Sequence, residues 1–330
     1  MRLSILGAGA WGTAMGVALC AHHQISLWSR DPAQSSKLDA ERVNARYLPG
    51  VTIPAQVRIT DNFDSAIADS ELIVVAVPTA ALRQTLKLIV AARAAAGVVW
   101  LCKGFESGQA KFPHQVADEE LPPAQPRAAL SGPSFASEVA RGLPAAVTLA
   151  SRDPQFAASA SRALHTGRFR VYSSDDLVGV ETGGAVKNVI AIAAGICDGL
   201  KLGASARAAL ITRGLAEITR LGLRLGGRSE TFIGLAGAGD LMLTATSDLS
   251  RNRRVGLQLA LGRPLPDILA ELGHVAEGVN SAREVGKLAE QFNVDMPISA
   301  AVLQLLEGTA SPREVVEDLL QRGPKQESVR

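Results

Sequence analysis

Short apolar runs alternate with longer polar-apolar stretches through the first half of the chain. The runs at 3–6, 25–28, 57–60, 72–77, 98–102, 128–131, 146–149 and 169–172 are dominated by Val, Ile, Leu and Ala and are predicted strands. Several are apolar at nearly every position, as strands must be when helices cover both faces of a sheet. The alternation of such strands with helical stretches predicts a doubly wound parallel sheet. After about Tyr172 the strand signal stops. From Gly179 onward Ala, Leu, Ile, Val and Arg recur at helical spacing, punctuated at Gly226-Gly227, Gly237, Gly262-Arg263-Pro264, Gly278, Pro297 and Pro312. The expected organisation is an α/β domain over residues 1–180 and an all-helical domain over 181–330.

Composition narrows the class without deciding it. Of the 330 residues 47% are apolar and 20% charged, which excludes disorder as the main theme. The formal charge of +2 lacks the basic excess expected of a nucleic-acid binder, although arginine dominates the cations and favours local recognition of phosphate or carboxylate. Cys20, Cys102 and Cys197 lie far apart and form neither a metal-ligand spacing nor a disulfide framework, so a reducing cytoplasm and no metal are expected. Arg93 and Lys187 interrupt the longest apolar stretches, so no membrane-spanning segment is expected. With a motif that begins at Gly7, no targeting peptide is expected.

That motif is Gly7-Ala8-Gly9-Ala10-Trp11-Gly12, set between a predicted strand and a helix of small residues. In a Rossmann-type unit the first glycine permits a tight turn, the second lets backbone approach a pyrophosphate, and the third allows close helix–sheet packing. The helix N-terminus adds free N–H groups and positive dipole. At the end of the next strand stands Arg30, where a guanidinium suits the 2′-phosphate of NADP, followed by Asp31-Pro32, which reads as a helix cap or as a ribose partner.

Other segments carry candidate chemistry. In Gly183-Gly184-Ala185-Val186-Lys187-Asn188 the residues three and four before Lys187 are glycines, so the ammonium projects from a face of very small side chains. Desolvation there would lower its pKa and suit proton transfer; a snorkelling lysine beside a helix-packing glycine pair is the alternative. In Ser250-Arg251-Asn252-Arg253-Arg254, Ser250 is placed to cap a helix whose start would attract an anion, unless the segment is a solvated basic face. Asp240 follows the flexible Ala236-Gly237-Ala238-Gly239, and Ser131-Gly132-Pro133-Ser134 and Cys102-Lys103-Gly104 end strands at the edge where α/β sheets bind ligands.

Taken in order, Gly7 to Ala14, Lys103-Gly104, Ser131 to Ala136, Gly183 to Ile190, Gly234 to Leu241 and Ser250 to Arg254 closely resemble the bacterial-type NAD(P)-dependent glycerol-3-phosphate dehydrogenases. The resemblance spans almost the whole chain. It implies a Rossmann-type doubly wound parallel sheet followed by an all-helical C-terminal domain, reduction of dihydroxyacetone phosphate to sn-glycerol 3-phosphate, and a supply role in glycerophospholipid synthesis. It further implies that Gly7, Gly9, Ala10, Trp11, Gly12, Arg30, Lys103, Ala136, Val275 and Glu277 serve NADP or NAD, NADPH being favoured, and that Arg251 serves both cofactor and substrate. Lys103, Gly132, Ser134, Asp240, Ser250, Arg251 and Asn252 match the substrate site, with Lys187 as the proton-transferring residue. Ser134 stands where many relatives carry Thr, and Trp11 where Tyr is common; each keeps the relevant group. The implied partner is a small molecule rather than a nucleic acid, and a homodimer is compatible with the sequence. Two rivals share parts of the pattern. A related dehydrogenase of another small hydroxy or keto acid would share the glycine turn and the lysine, and a nucleotide-sensing module without turnover would have no use for Lys187 or the Arg251 cluster.

Overall fold

The computed structural model describes residues 1–273 and 276–323. The chain divides into two compact units, one made of Met1–Cys102 and Pro113–Leu177, the other of Lys103–Phe112 and the residues from Val178 onward.

The first unit contains the strands β1 (Arg2–Leu6), β2 (Gln24–Trp28), β3 (Val43–Asn44), β4 (Leu48–Thr52), β5 (Val57–Thr60), β6 (Leu72–Val75), β7 (Gly97–Trp100), β8 (Arg127–Ser131), β9 (Ala145–Ala150) and β10 (Phe169–Ser174). Its helices are α1 (Ala10–Leu19), α2 (Pro32–Glu41), α3 (Phe63–Ile67), α4 (Thr79–Ala91), α5 (Pro113–Glu120), α6 (Ala136–Ala140) and α7 (Pro154–Leu164). Eight strands form one sheet in the order β10-β9-β8-β7-β6-β1-β2-β5, parallel throughout except between β8 and β9. Every strand predicted from an apolar run takes a place in it. The runs are apolar because the central strands are covered on both faces: all four residues of β6 and of β7 are buried. The ribbon of β3 and β4 lies outside the sheet and was not expected, since Pro49-Gly50 breaks the strand pattern inside β4.

The order of this sheet positions the glycine turn. The chain runs outward from β1 through β2 to β5, then returns to the other side of β1 for β6. The order therefore reverses between β1 and β6, the switch point at whose carboxyl end α/β sheets open a crevice for ligands. Asp31 and Asp153 cap α2 and α7, each ahead of a proline at the first helical position. For Asp31, of the two readings of the sequence, the cap is the one observed, with its carboxylate accepting the Ala33 N–H at 3.0 Å.

Among the described residues the second unit is helical: α8 (Leu177–Gly199), which opens at the boundary, α9 (Ala204–Arg224), α10 (Ser229–Ile233), a single π-helical turn at Leu235–Gly239, α11 (Asp240–Thr246), α12 (Arg251–Ala260), α13 (Leu265–Leu272), α14 (Glu277–Gln291), α15 (Pro297–Glu307) and α16 (Pro312–Leu320). Helix α8 is its axis, with Val186, Val189, Ile190 and Ala194 buried among Ile218, Phe232, Leu241 and Val255. By length and composition α8 could cross a membrane, but 94% of its most apolar window is buried inside the protein, so its apolarity is that of a core helix. Close backbone approach explains its glycines. A Cβ added at Gly195 would overlap the Arg253 carbonyl oxygen, and one added at Gly256 would overlap that of Ile192, so α8 and α12 cross with their backbones in contact. Gly183 is likewise filled by the Ala236 carbonyl, so this member of the small face serves helix packing rather than ligand access.

Candidate active site

Each glycine of the first motif has a distinct job. Gly7 has φ +112, and a Cβ there would come within 2.8 Å of the Ala76 carbonyl oxygen at the end of β6. Its amide donates to the Trp28 carbonyl at 3.0 Å, tying β1 to β2. Gly12 packs so closely that a Cβ would overlap the Gly7 carbonyl. Around Gly9 there is open space, and Gly9 is the N-cap of α1 with no side chain capping the helix. The first turn of α1 thus presents unpaired N–H groups and no acid, a cradle that fits a dinucleotide pyrophosphate. Ala10 and Trp11 open that helix and border the apolar cluster of Ala14, Leu48, Val51 and Ala136. Two residues outside the motif hold its shape: the Asn44 and Gln34 side-chain amides donate to the Ala8 carbonyl at 3.0 and 2.8 Å. Neither was signalled in the sequence, because both come from neighbouring elements with no spacing of their own.

Arg30 is exposed just past the end of β2, the strand beside β1. Gly132, at φ +140 after β8, lies against the Val147 backbone, and Ser134 donates to its carbonyl at 3.0 Å. Ala136 begins α6. These positions sit past the carboxyl ends of their strands, but Gly132 also has a packing reason to be glycine.

The second unit brings three of the expected residues together. Asp240, 1% exposed, takes the Lys103 ammonium on Oδ2 at 2.6 Å and the Lys187 ammonium on Oδ1. Lys187, 6% exposed, also donates to the Thr244 hydroxyl at 2.8 Å, and that hydroxyl donates to the Asp240 carbonyl at 2.6 Å. Asp240 is aimed by the π-turn that precedes it rather than used as a helix cap, and Thr244 lies one turn further along α11. Burial dominates the lysine: loss of hydration pulls the Lys187 ammonium down to about 7, against the attraction of Asp240 and with the Lys103 charge pushing the same way as burial. Burial also opposes ionisation of Asp240, but Lys103 and Lys187 outweigh it and hold the carboxyl below its ordinary range. The snorkelling alternative for Lys187 therefore does not hold.

Ser250, Arg251, Asn252 and Glu277 lie at the starts of α12 and α14. Ser250 caps α12 as expected, accepting the Arg253 N–H at 3.2 Å. Arg251 is exposed at the first position of α12, within electrostatic reach of Glu277 at the first position of α14. Asn252 is buried and committed to the fold, donating to the Asn188 oxygen and accepting the Gly278 N–H, each at 3.0 Å. Asn188 directly follows Lys187, so this amide chain ties the lysine helix to α12 and α14. Arg253 is the structural arginine of the cluster, forked onto Asp198 at 2.7 and 2.9 Å and paired with Asp248 at 2.6 Å. Val275, expected at the cofactor, lies outside the described residues.

A glycine turn at the switch point of a doubly wound sheet, with a separate helical unit that buries an ion-paired lysine, is the build of a nicotinamide-dependent dehydrogenase. Residues 2–157 match the NAD-dependent glycerol-3-phosphate dehydrogenase N-terminus and residues 176–317 the C-terminus of the same family. The chain is 57% identical to the glycerol-3-phosphate dehydrogenase [NAD(P)+] of Nitrosospira multiformis, over 99% of each chain, and 56% identical to that of Dechloromonas aromatica, again over 99% of each. It is similar to the crystal structure of glycerol-3-phosphate dehydrogenase from Coxiella burnetii, with a TM-score of 0.92 and 40% identity over 97% of this chain and 99% of that one. The chain belongs to the NAD-dependent glycerol-3-phosphate dehydrogenase family.

Proposed function

We propose that the chain catalyses the reversible NAD(P)H-dependent reduction of dihydroxyacetone phosphate to sn-glycerol 3-phosphate, with Lys187 as the general acid and base. The observation that carries this reading is the buried Lys187–Asp240–Lys103 cluster, in which burial brings the Lys187 ammonium to about 7. An amine that titrates there is half acid and half base at neutral pH, the condition under which proton transfer in both directions is efficient. Bound nicotinamide supplies the hydride for the carbonyl carbon. Lys187 gives its proton to the oxygen as that oxygen gains negative charge, and takes it back from the hydroxyl in oxidation. Asp240 fixes the amine and keeps enough of it protonated, while Lys103 restrains that effect and offers a second cation to an oxygen of the substrate.

The first unit, taken as residues 1–180 without 103–112, holds the cofactor: Gly7, Gly9, Ala10, Trp11 and Gly12 at the pyrophosphate turn, with Ala136 near it. Arg30 favours NADPH by meeting the 2′-phosphate. The second unit, residues 181–330 with 103–112, holds the substrate. Arg251 and the N–H groups at the start of α12 take its phosphate, Glu277 and Val275 serve the cofactor as the family resemblance implies, and Ser250 and Asn252 keep the helix start in place. Gly132 and Ser134, on the strand-end loop after β8, are the substrate-binding residues that the resemblance implies for the first unit. The product feeds glycerophospholipid synthesis. None of the three cysteines is in a disulfide among the described residues, which suits a reducing compartment, and we assign the chain to the cytoplasm. A homodimer is the simplest assembly and is checked by light scattering.

The deciding assay follows absorbance of NADPH and of NADH on adding dihydroxyacetone phosphate, beside unphosphorylated dihydroxyacetone. Turnover only with the phosphate ester supports the reading. Lys187→Ala should retain less than about a tenth of kcat while still binding NADPH; a variant above that level would remove Lys187 from the chemistry.

A further inference from the structure

Lys103 reaches Asp240 from a loop, not from a helix or strand of the second unit. That loop, Lys103–Phe112, is held at two levels. At its stem the Phe105 and Phe112 rings pack at a tilt with centroids 4.7 Å apart within the helical core, and the Glu106 N–H meets the Lys111 carbonyl at 2.9 Å. At its tip the chain turns through Gly108 at φ +82 and Ala110 at φ +52, the latter a left-handed conformation that an alanine adopts only when held there.

The holder is Glu284 on α14. Its side chain is buried, 4% exposed, and its two oxygens accept the N–H groups of Gly108 at 2.8 Å and Ala110 at 3.0 Å. Lys287, one turn on, pairs with the same carboxylate at 3.1 Å and reaches the Gly108 carbonyl at 3.4 Å. A carboxylate taken out of water is costly unless its bonds are replaced. Here the replacement is spent on two backbone amides of the loop that carries Lys103.

We propose that Glu284 is a positioning residue for the acid–base cluster, acting through the tip of the 103–112 loop to keep Lys103 on Asp240. The inference rests on Lys187 being the acid–base group. The charged groups that act on Lys187 are Asp240 from α11 and Lys103 from the loop, with the Thr244 hydroxyl beside them. Releasing Lys103 removes the cation that presses the Lys187 proton off, so the amine titrates higher. Simple loss of the Glu284 negative charge would shift it the opposite way. The sign of the shift therefore separates release of the loop from a through-space effect.

The test measures initial rates of glycerol 3-phosphate oxidation from pH 6 to 10 for wild type, Glu284→Ala and Glu284→Gln, each checked for folding by circular dichroism and cofactor titration. Glu284→Ala should lose about 5- to 50-fold in kcat, the range expected when a group beside the reacting atoms is misplaced. Its inflection should rise by about half a pH unit or more, and the Gly108 and Ala110 amides should exchange faster with solvent. Glu284→Gln keeps one accepting oxygen and should fall between. In a Lys103→Met background Glu284→Ala should add no further shift. A folded Glu284→Ala enzyme with an unmoved or lowered inflection, or with unchanged amide exchange, overturns the proposal. A wild-type protein that turns over no glycerol 3-phosphate overturns the underlying reading instead, and the proposal falls with it.

Discussion

Asp240→Asn isolates the electrostatic balance at the centre of the site. The substitution keeps the shape and an accepting oxygen but removes the charge shared by Lys103 at 2.6 Å and by Lys187. A unit charge about 4 Å away at an effective dielectric of about 20 is worth roughly 4 kcal/mol, or about three pKa units. The retained hydrogen bond reduces the effect, so a fall of about two units is expected, from the Lys187 value of about 7 towards about 5. The assay is kcat/KM for dihydroxyacetone phosphate by NADPH absorbance from pH 4.5 to 9, expressed as the ratio of variant to wild type so that titration of the substrate's own phosphate cancels. Reduction needs the protonated amine. The ratio should therefore fall by nearly a hundredfold across the range, most steeply between about pH 5 and pH 7, and level off above about pH 8, one decade per unit of pKa shift. A ratio that is low but constant across pH would refute the reasoning, because it would mean that Asp240 does not set the protonation of the group that limits the rate.

Arg30→Asp should raise KM for NADPH more than for NADH, and equal weakening would assign Arg30 to the adenine or to the fold. Arg251→Ala should raise KM for dihydroxyacetone phosphate by roughly 10- to 150-fold from the loss of one charge-assisted contact, and inorganic phosphate should compete with substrate in wild type but much less in the variant. An unchanged KM would take Arg251 out of the phosphate site. Glu217 on α9, buried beneath the start of α15, bonds the Ile298 and Ser299 N–H groups at 2.6 and 3.0 Å, and burial raises its carboxyl to about 6. Because the folded carboxyl titrates above its ordinary 4.5, the folded state binds the extra proton between those values. Stability from this group is thus lost as pH rises from 4.5 to about 6, by roughly 2 kcal/mol in all. Denaturant melts of wild type and Glu217→Gln across that window should diverge by about this amount; parallel curves would count against it.

The residues that were legible are those whose function or packing repeats locally. Strands such as β6 and β7 announce themselves because burial on both faces makes every position apolar. The packing roles of Gly7 and Gly12 follow from their spacing, and the Ser250 cap from its place before α12. What escaped is long-range. Lys103 stands in sequence as the end of a strand of the first unit, and nothing nearby shows that its loop packs in the second, where its partner Asp240 is. The segment before Asp240 reads as a flexible glycine turn, whereas Phe232 and Gly183 pack it into a π-helical turn in which Gly237 is required by contact. Thr244, Asn44 and Glu284 have unremarkable neighbours in sequence and gain their meaning only from what reaches them across the fold.

The contact of α8 with α12 turns the second unit into a gauge of fixed length. Lys187 rides on one helix and Arg251 on the other, and at Gly195 and Gly256 each backbone rests on a carbonyl of its neighbour. Side chains at a helix crossing can change rotamer and let the helices slide, but two backbones in contact leave no compressible layer between them. The span between the amine and the helix start proposed to hold the phosphate is therefore set by main chain, and on that reading substrates of other lengths must be accommodated by side-chain replacement at the two ends, not by movement of the helices. An alanine at either glycine would force the jaws apart and change the size of molecule they measure, even though neither glycine touches it.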